Sequence, residues 1–353
     1  MAPGAHGWQS ARVSDAVSRV PSPDGPYFEE LRVGQVLDPA PALTIGPGEA
    51  AVYQSICGDP LATSLSRPVA EAVTGQPGAL VNPALVLHVS IGQSTVATRQ
   101  VIANLFYRGV ALRQPVRLGE TLRSTVTIRG LRELSRRDDR PARGLVLLGI
   151  HTTCLSGDEA GSGATVVHYE RCAMLRFRDQ DVTTGHDDDL GAADPEVNLG
   201  AWTDLAPDWD AMPLRTSRPT APSVGERRTD PLRDTVTNAP ALARLSQNLA
   251  AVHRDQTLGP TGRRLVYGGH TIGLAQASLC RMQPGTGTVV GWQSCEHPSP
   301  VFEEDILSFH HTVLDERPSG SGRLRAIRIE VDAERSDGSI DAVLDWRLVT
   351  WGA

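Results

Sequence analysis

Three polar side chains interrupt the apolar stretch LSQNLAAVHRD at 245–255: Asn248, His253 five residues on, and Asp255 two beyond it. An imidazole titrates near neutral pH, so it can take a proton from water and hand it back. A carboxamide does not titrate, but it can orient a water through its carbonyl or its amino group. A carboxylate beside the ring can fix the tautomer. Each residue also has a plainer use: His253 as a satisfied core or cap histidine, Asn248 as a helix cap, Asp255 as a solvent-facing helix residue. The residue types allow a water activated by a general base, and the plainer uses stay open beside it.

A second group lies a short way downstream, in LVYGGHTIGLAQA at 265–277. Gly268-Gly269 opens an apolar helix, where free N–H groups and the positive end of the helix dipole meet with no Cβ in the way. Such a turn can stabilise an oxyanion; glycines for close helix–sheet packing are the alternative. Tyr267, next to it, reads equally as pocket lining or core. Arg263-Arg264 reads as a solvated basic pair or as a partner for phosphates. Asp59, in the Gly58-Asp59-Pro60 turn, reads as a turn residue or as a second candidate to hold the imidazole.

Composition narrows the chemistry. The chain has 353 residues, 40% hydrophobic and 21% charged, with a net charge of −7, so it reads as two ordinary globular domains without a nucleic-acid partner. All 34 basic residues are arginine, which removes Schiff-base, phosphate-loop and Ser-Lys chemistry. Five cysteines, widely spaced and without a CxxC, suit buried thiols in a reducing compartment. No HExxH or GxSxG occurs, and GTGTVVG (285–291) lacks the context of a dinucleotide loop. His310 and His311 fall on a strand, so their side chains diverge. The N-terminal segment has no apolar leader region and no long apolar run follows. The expectation is a cytoplasmic protein with no cofactor, no metal and no membrane partner.

The elements that must position these residues come as a weak internal repeat. Pro115 and Pro300, and Leu122 and Leu307, each stand 185 apart; Ile91-Gly92 and Ile272-Gly273 stand 181 apart; Asp59 and Asn248 stand 189 apart. Each half reads as a short helical segment, an apolar helix (83–100 and 270–282), then three strands. The helices are too uniformly apolar for a surface, so a sheet must wrap each. The pattern predicts an α+β tandem (double) hotdog, two antiparallel sheets each wrapping a central helix and joined edge to edge. The boundaries expected are a flexible arm at 1–24, a first repeat at 25–180, a linker at 181–228 that crosses the outside of the first half, and a second repeat at 229–353.

PYFEELRVGQVL, Gly58-Asp59, LSQNLAAVHRD, LVYGGHTIGLAQA and the SPVFEEDIL turn together resemble the MaoC-like acyl-CoA hydratases and dehydratases, in the double-hotdog form found in actinobacteria. The resemblance spans roughly 26–180 and 229–353. Its usual motif sets an Asp and a His five apart, as G-D-x-N-P-x-H; a variant places Asn where the Asp stands. Asn248 and His253 keep the variant's spacing, with Ala250 where that variant has a first His. The first half keeps Gly58-Asp59 but has Ser64 five residues later. The resemblance implies one live site, in the second repeat. There His253 is the base, Asn248 orients the water, Gly269 N–H is the oxyanion donor, and Asp255, Asp59 and Tyr267 support them. It implies reversible hydration of a 2-enoyl-CoA or dehydration of a 3-hydroxyacyl-CoA, on CoA or acyl carrier protein thioesters, with a homodimer as the assembly to test. The alternatives left open are a hotdog thioesterase and a non-catalytic acyl-CoA-binding protein.

Overall fold

The computed structural model describes residues 24–155, 163–215, 222–259 and 262–353. The arm read at 1–24 lies, except for its last residue, outside the described residues. In the first half, a short strand β1 (Leu43–Thr44) leads into helices α1 (Pro47–Cys57), α2 (Ala62–Leu65), α3 (Arg67–Thr74) and α4 (Pro83–Gln93). Strands β2 (Val101–Leu112), β3 (Thr121–Glu133), β4 (Arg143–Cys154) and β5 (Thr165–Arg176) follow. The second half has short strands β6 (Arg227–Thr229) and β7 (Asp234–Thr235), then helices α5 (Ala239–Leu245) and α6 (Gly268–Met282). It ends in β8 (Thr286–Glu296), β9 (Ile306–Ser319), β10 (Gly322–Glu334) and β11 (Ile340–Gly352).

Among the described residues the strands form one sheet, in the order β1-β3-β4-β5-β2-β8-β11-β10-β9-β6, with β7 also on β9. The two halves meet where β2 pairs antiparallel with β8, Tyr107 opposite Cys295 and Val110 opposite Trp292. Trp292 sets its edge against Tyr107 at 5.9 Å and against Trp346 at 5.3 Å, so the junction is filled by aromatic area.

Each half has four long strands, one more than its sequence suggests. The unforeseen ones, β2 and β8, are those that fuse the halves. Both are irregular: β2 shifts register three times against β5, and β8 three times against β11. Such bulges break the two-residue alternation by which a strand is recognised. The first central helix is also shorter than 83–100. It leaves α-geometry after Gln93, where the Ser94 hydroxyl donates to Ile91 O (2.6 Å) and the Thr95 hydroxyl to Gly92 O (2.5 Å). Hydroxyls that take the last carbonyls tighten the chain into a 3-10 turn, Ser94–Ala97, and release it into β2.

All of α4 is buried, as is α6 from Gly269 to Cys280. A Cβ on Gly92 would overlap the carbonyl oxygen of Ser246, just past α5, and one on Gly273 would lie 2.8 Å from Cys57 Sγ, at the end of α1. The short helix of each half therefore rests on the central helix of the other. The repeated Ile-Gly pairs are the two crossing points.

The described residues of the segment expected to be a linker are packed. His186 O and Asp188 N–H pair with Glu133 and Leu131 along β3. Farther on, Leu199, Trp202 and Leu214 are buried against Val290, Leu324, Val349 and Trp351 of the second half. Its described residues run along the first half and then cover the second. No described helix is long and apolar enough to cross a membrane.

The core also holds ionisable groups. His88 on α4 and His270 on α6 are buried with no partner for either ring nitrogen among the described residues. His311 on β9 is held by the Ser278 hydroxyl (2.8 Å), which donates to Asp230 (2.6 Å). His310 faces the other way, to Thr229 and Asp332. Burial drops His88 to about 3 and His270 and His311 to about 4.

Two outcomes are expected. Gly92→Ala should lower stability by about 1–3 kcal/mol through overpacking against Ser246, read from the urea midpoint. The stability due to the neutral core histidines is complete above the unfolded value of 6.5 and is lost as pH falls toward about 4. The denaturation midpoint should therefore fall between pH 7 and pH 5; a level midpoint would refute the assignment.

Candidate active site

A cavity of about 480 Å³ opens between the halves. The first half supplies part of β2, Thr95 and Thr98 beyond α4, and Arg171 of β5; the second supplies Asn248, His253, Tyr267, Gly268 and the turn at 297–301.

Asn248 is placed by the end of α5 and by the other half. Gln247 takes a left-handed φ of 60°, which turns the chain so that Asn248 N–H bonds Ala243 O at 2.8 Å. Leu249 N–H then donates to the Thr95 hydroxyl at 2.8 Å, and Gln93 donates to Gln247 Oε1 at 3.1 Å. The Asn248 side-chain oxygen accepts from Ala250 N–H (2.9 Å). That bond settles its orientation: the amide NH2 has no protein partner among the described residues and is left to the cavity.

His253 closes a short 3-10 turn, Ala251–His253. Its Nδ1 lies 2.9 Å from Leu265 O. A carbonyl can only accept, so Nδ1 carries the proton and Nε2 keeps the lone pair. Nε2 has no described protein partner. Burial lowers the imidazole to about 4; the Leu265 bond opposes this and the Arg171 charge adds to it. The ring is neutral at pH 7, with its basic nitrogen free.

Facing this group is the start of α6. The N–H groups of Gly268 and Gly269 have no acceptor among the described residues, as the first turn of a helix dictates. Gly268 lines the cavity; Gly269 lies behind it, where a Cβ would strike the Tyr267 ring. A Cβ on Gly268 would come within 2.9 Å of the His297 ring, so both glycines are required by close neighbours. The Tyr267 ring sits 5.8 Å from that of His253, and its hydroxyl has no partner among the described residues.

Four expected participants are elsewhere. Asp255 caps the next turn, taking Thr257 N–H (2.9 Å) and its hydroxyl (2.7 Å), and its carboxylate is exposed. Asp59 is fully buried away from the cavity, bound to Leu61 N–H, Asn82 and Gln276. It fastens the first-half turn to α6. Neither holds the imidazole; the Leu265 carbonyl does. Arg263 pairs with Asp305 and Arg264 with Glu303, so both guanidiniums are engaged. The counterpart in the first half, around Thr63, Ser64 and Pro83, is a cavity of about 210 Å³ roofed by linker residues Asp204–Pro207 and Trp209.

The residue that sequence reasoning missed is Arg171. In TVVHYERCAMLRF, Tyr169, Arg171, Ala173 and Leu175 share the buried face of β5. A charged residue in phase with the apolar face was the available signal.

No protein-family model matches the chain. It is 29% identical to mesaconyl-CoA hydratase of Cereibacter sphaeroides over 319 residues, 88% of this chain and 89% of that one. It is 29% identical to β-methylmalyl-CoA dehydratase of Chloroflexus aurantiacus over 304 residues, 80% of each. Among solved structures, RV0216 of Mycobacterium tuberculosis, a conserved hypothetical protein with a double hotdog fold, is 38% identical with a TM-score of 0.81, over 93% of this chain and 98% of that one. A MaoC domain protein from Chloroflexus aurantiacus shares the fold at 24% identity and a TM-score of 0.77, over 93% of this chain and 97% of that one. With its two wrapped helices and its single fused sheet, the chain belongs with RV0216 among the double-hotdog proteins, and it is similar over most of its length to CoA hydratases and dehydratases.

Proposed function

We propose that the protein reversibly hydrates a 2-enoyl-CoA, and dehydrates the corresponding 3-hydroxyacyl-CoA, at the cavity that holds His253. The observation that carries this reading is the ring's fixed tautomer: Nδ1–H is spent on Leu265 O, which leaves Nε2 as a base toward the cavity. Nε2 takes a proton from a water that also accepts from the Asn248 NH2. The water oxygen bonds to Cβ, and the C=C electron pair moves to give an enolate. The unpaired N–H groups at Gly268-Gly269 and the α6 dipole stabilise the thioester oxygen as it gains charge. The imidazolium then returns the proton to Cα. Dehydration runs the same steps backwards.

CoA is the proposed thioester carrier, since both curated relatives are named for CoA substrates. A cytoplasmic setting fits the same reading, because all five cysteines are buried and unpaired. The thioesterase alternative is weaker: GGHTIGLAQASLCRM has no carboxylate with which α6 could activate water for hydrolysis.

Purified protein should remove the enoyl absorbance of crotonyl-CoA or a branched enoyl-CoA without releasing free thiol. Thiol release would mean hydrolysis, and binding without turnover would mean a carrier. His253→Ala should cut kcat/KM by about 10²–10⁴-fold, while Asp255→Asn should leave it near wild type. Because the imidazole sits at about 4, kcat/KM should show no histidine limb between pH 5.5 and 7.5. A limb near 6.5, or a fully active His253→Ala, would remove His253 from the mechanism.

A further inference from the structure

The cavity of about 210 Å³ in the first half repeats the walls of the one that holds His253. Its turn at 112–116 stands 185 residues before 297–301, and Val289 stands 185 beyond Asn104. Ser64 follows Asp59 by five residues as His253 follows Asn248, and Pro83 opens α4 without an N–H. What remains is a chamber walled by Leu80, Val86, Leu112 and Val289, with the Ser64 hydroxyl buried and unpartnered among the described residues. It can hold an apolar group but has no base and no oxyanion donor with which to transform it.

Arg113 lines this chamber and also a groove of about 280 Å³ on the solvent face of β3, β4 and β5. Thr127, Arg129, His151, Thr165 and His168 line the groove with it. No carboxylate does, and neither Arg113 nor Arg129 has an ion pair among the described residues, on a chain whose net charge is −7. Glu170, two residues from His168, is taken by Arg108 at 2.7 Å. Arg129 lies across Gly149, where a Cβ would come within 2.7 Å of its Nε, so bare backbone seats the guanidinium. The positive groups press on one another: burial, then His151 and Arg113, with Arg129 adding less, hold the His168 imidazole below its ordinary value.

The fold itself does not call for such a face. His151 lies opposite Thr125 on β3 and His168 on β5. The residue 185 beyond Thr125 is His310, which faces Glu330, and Glu330 faces Asp345. Those two carboxylates are matched by Arg227, Arg328 and Arg347. At the same spacing the counterpart of Arg129 is Leu314. One half neutralises its outer face, and the other leaves cations unmatched beside an apolar chamber. We propose that chamber and groove together form a non-catalytic site for a small phosphate monoester, its apolar body of about six carbons in the chamber and its phosphate on Arg113, Arg129, His151 and His168. Two guanidiniums, with two imidazoles that a dianion helps to protonate, suit phosphate better than a single carboxylate. An acyl-CoA does not match, because a pantetheine arm separates its acyl group from its phosphates. The proposal stands apart from the hydratase reading.

Calorimetric titration of the full chain with hexyl phosphate tests this, beside inorganic phosphate, 1-hexanol and coenzyme A. Wild type should take up one hexyl phosphate per chain, with a Kd at least about tenfold below that of inorganic phosphate or 1-hexanol. Arg113 and Arg129 are exposed, so Arg113→Gln combined with Arg129→Gln should keep the thermal midpoint while raising that Kd about tenfold or more. Coenzyme A binding should be unaffected by the same changes. Ser64→Phe should fill the chamber and reduce hexyl phosphate to the affinity of inorganic phosphate. Should that variant not fold, methyl, butyl and hexyl phosphate on wild type still decide, since affinity should rise along the series. Equal affinity for inorganic and hexyl phosphate overturns the proposal. Hexyl phosphate binding that survives the double arginine change puts the ligand elsewhere and overturns it too. Coenzyme A binding lost with the arginines assigns the groove to the coenzyme, and the proposal falls.

Discussion

The hydrogen bond from Leu249 N–H to the Thr95 hydroxyl, with the bare Gly92 backbone under Ser246, is the constraint on which the rest depends. It ties the loop that carries Asn248 and His253 to the central helix of the opposite half. A loop of this length has few internal bonds of its own, and its accuracy is borrowed from α4, which is buried along its whole length. The site is thus a property of the joined halves, although its polar residues stand mostly in the second.

A carbonyl, in place of a carboxylate, sets the imidazole of His253. A carboxylate would stabilise the imidazolium and raise its pKa. The Leu265 carbonyl chooses the tautomer while giving the charged form little support, and Arg171 disfavours that form further. A protonated His253 in such surroundings is a high-energy species that gives its proton up readily. That suits the proposed hydration, in which the proton taken from water is delivered to carbon within the same encounter.

Much of this was legible in the residues. The apolar helices, six of the eight long strands and the approximate repeat follow from periodicity, because a two-sided sheet and a wrapped helix leave clear patterns. β2 and β8 escaped because bulges erase alternation. The five-residue spacing of Asn248 and His253 was visible, but the anchor for His253 was not. Sequence proximity suggested Asp255, whereas the partner is the Leu265 backbone carbonyl, and a backbone carbonyl leaves no mark on residue type. Asp59 is a candidate through the Gly58-Asp59 pair of the resemblance as well as a turn residue; its work is to receive the amides of Asn82 and Gln276. Arg171 could have been read from its phase on β5, where a charge falls among Tyr169, Ala173 and Leu175.

The β2–β8 pairing carries one more implication. Severed between the repeats, each piece would bare a long bulged edge strand, with unpaired amides and carbonyls facing water beside the apolar surfaces of Tyr107 and Trp292. Covalent tethering keeps the proper mate at high local concentration, so the seam closes within one chain before a stranger can occupy it. That guarantee frees the repeats from having to match. A self-paired homodimer must place the same side chain at both symmetry-related positions, whereas here a guanidinium can sit in one fold and a leucine in its twin.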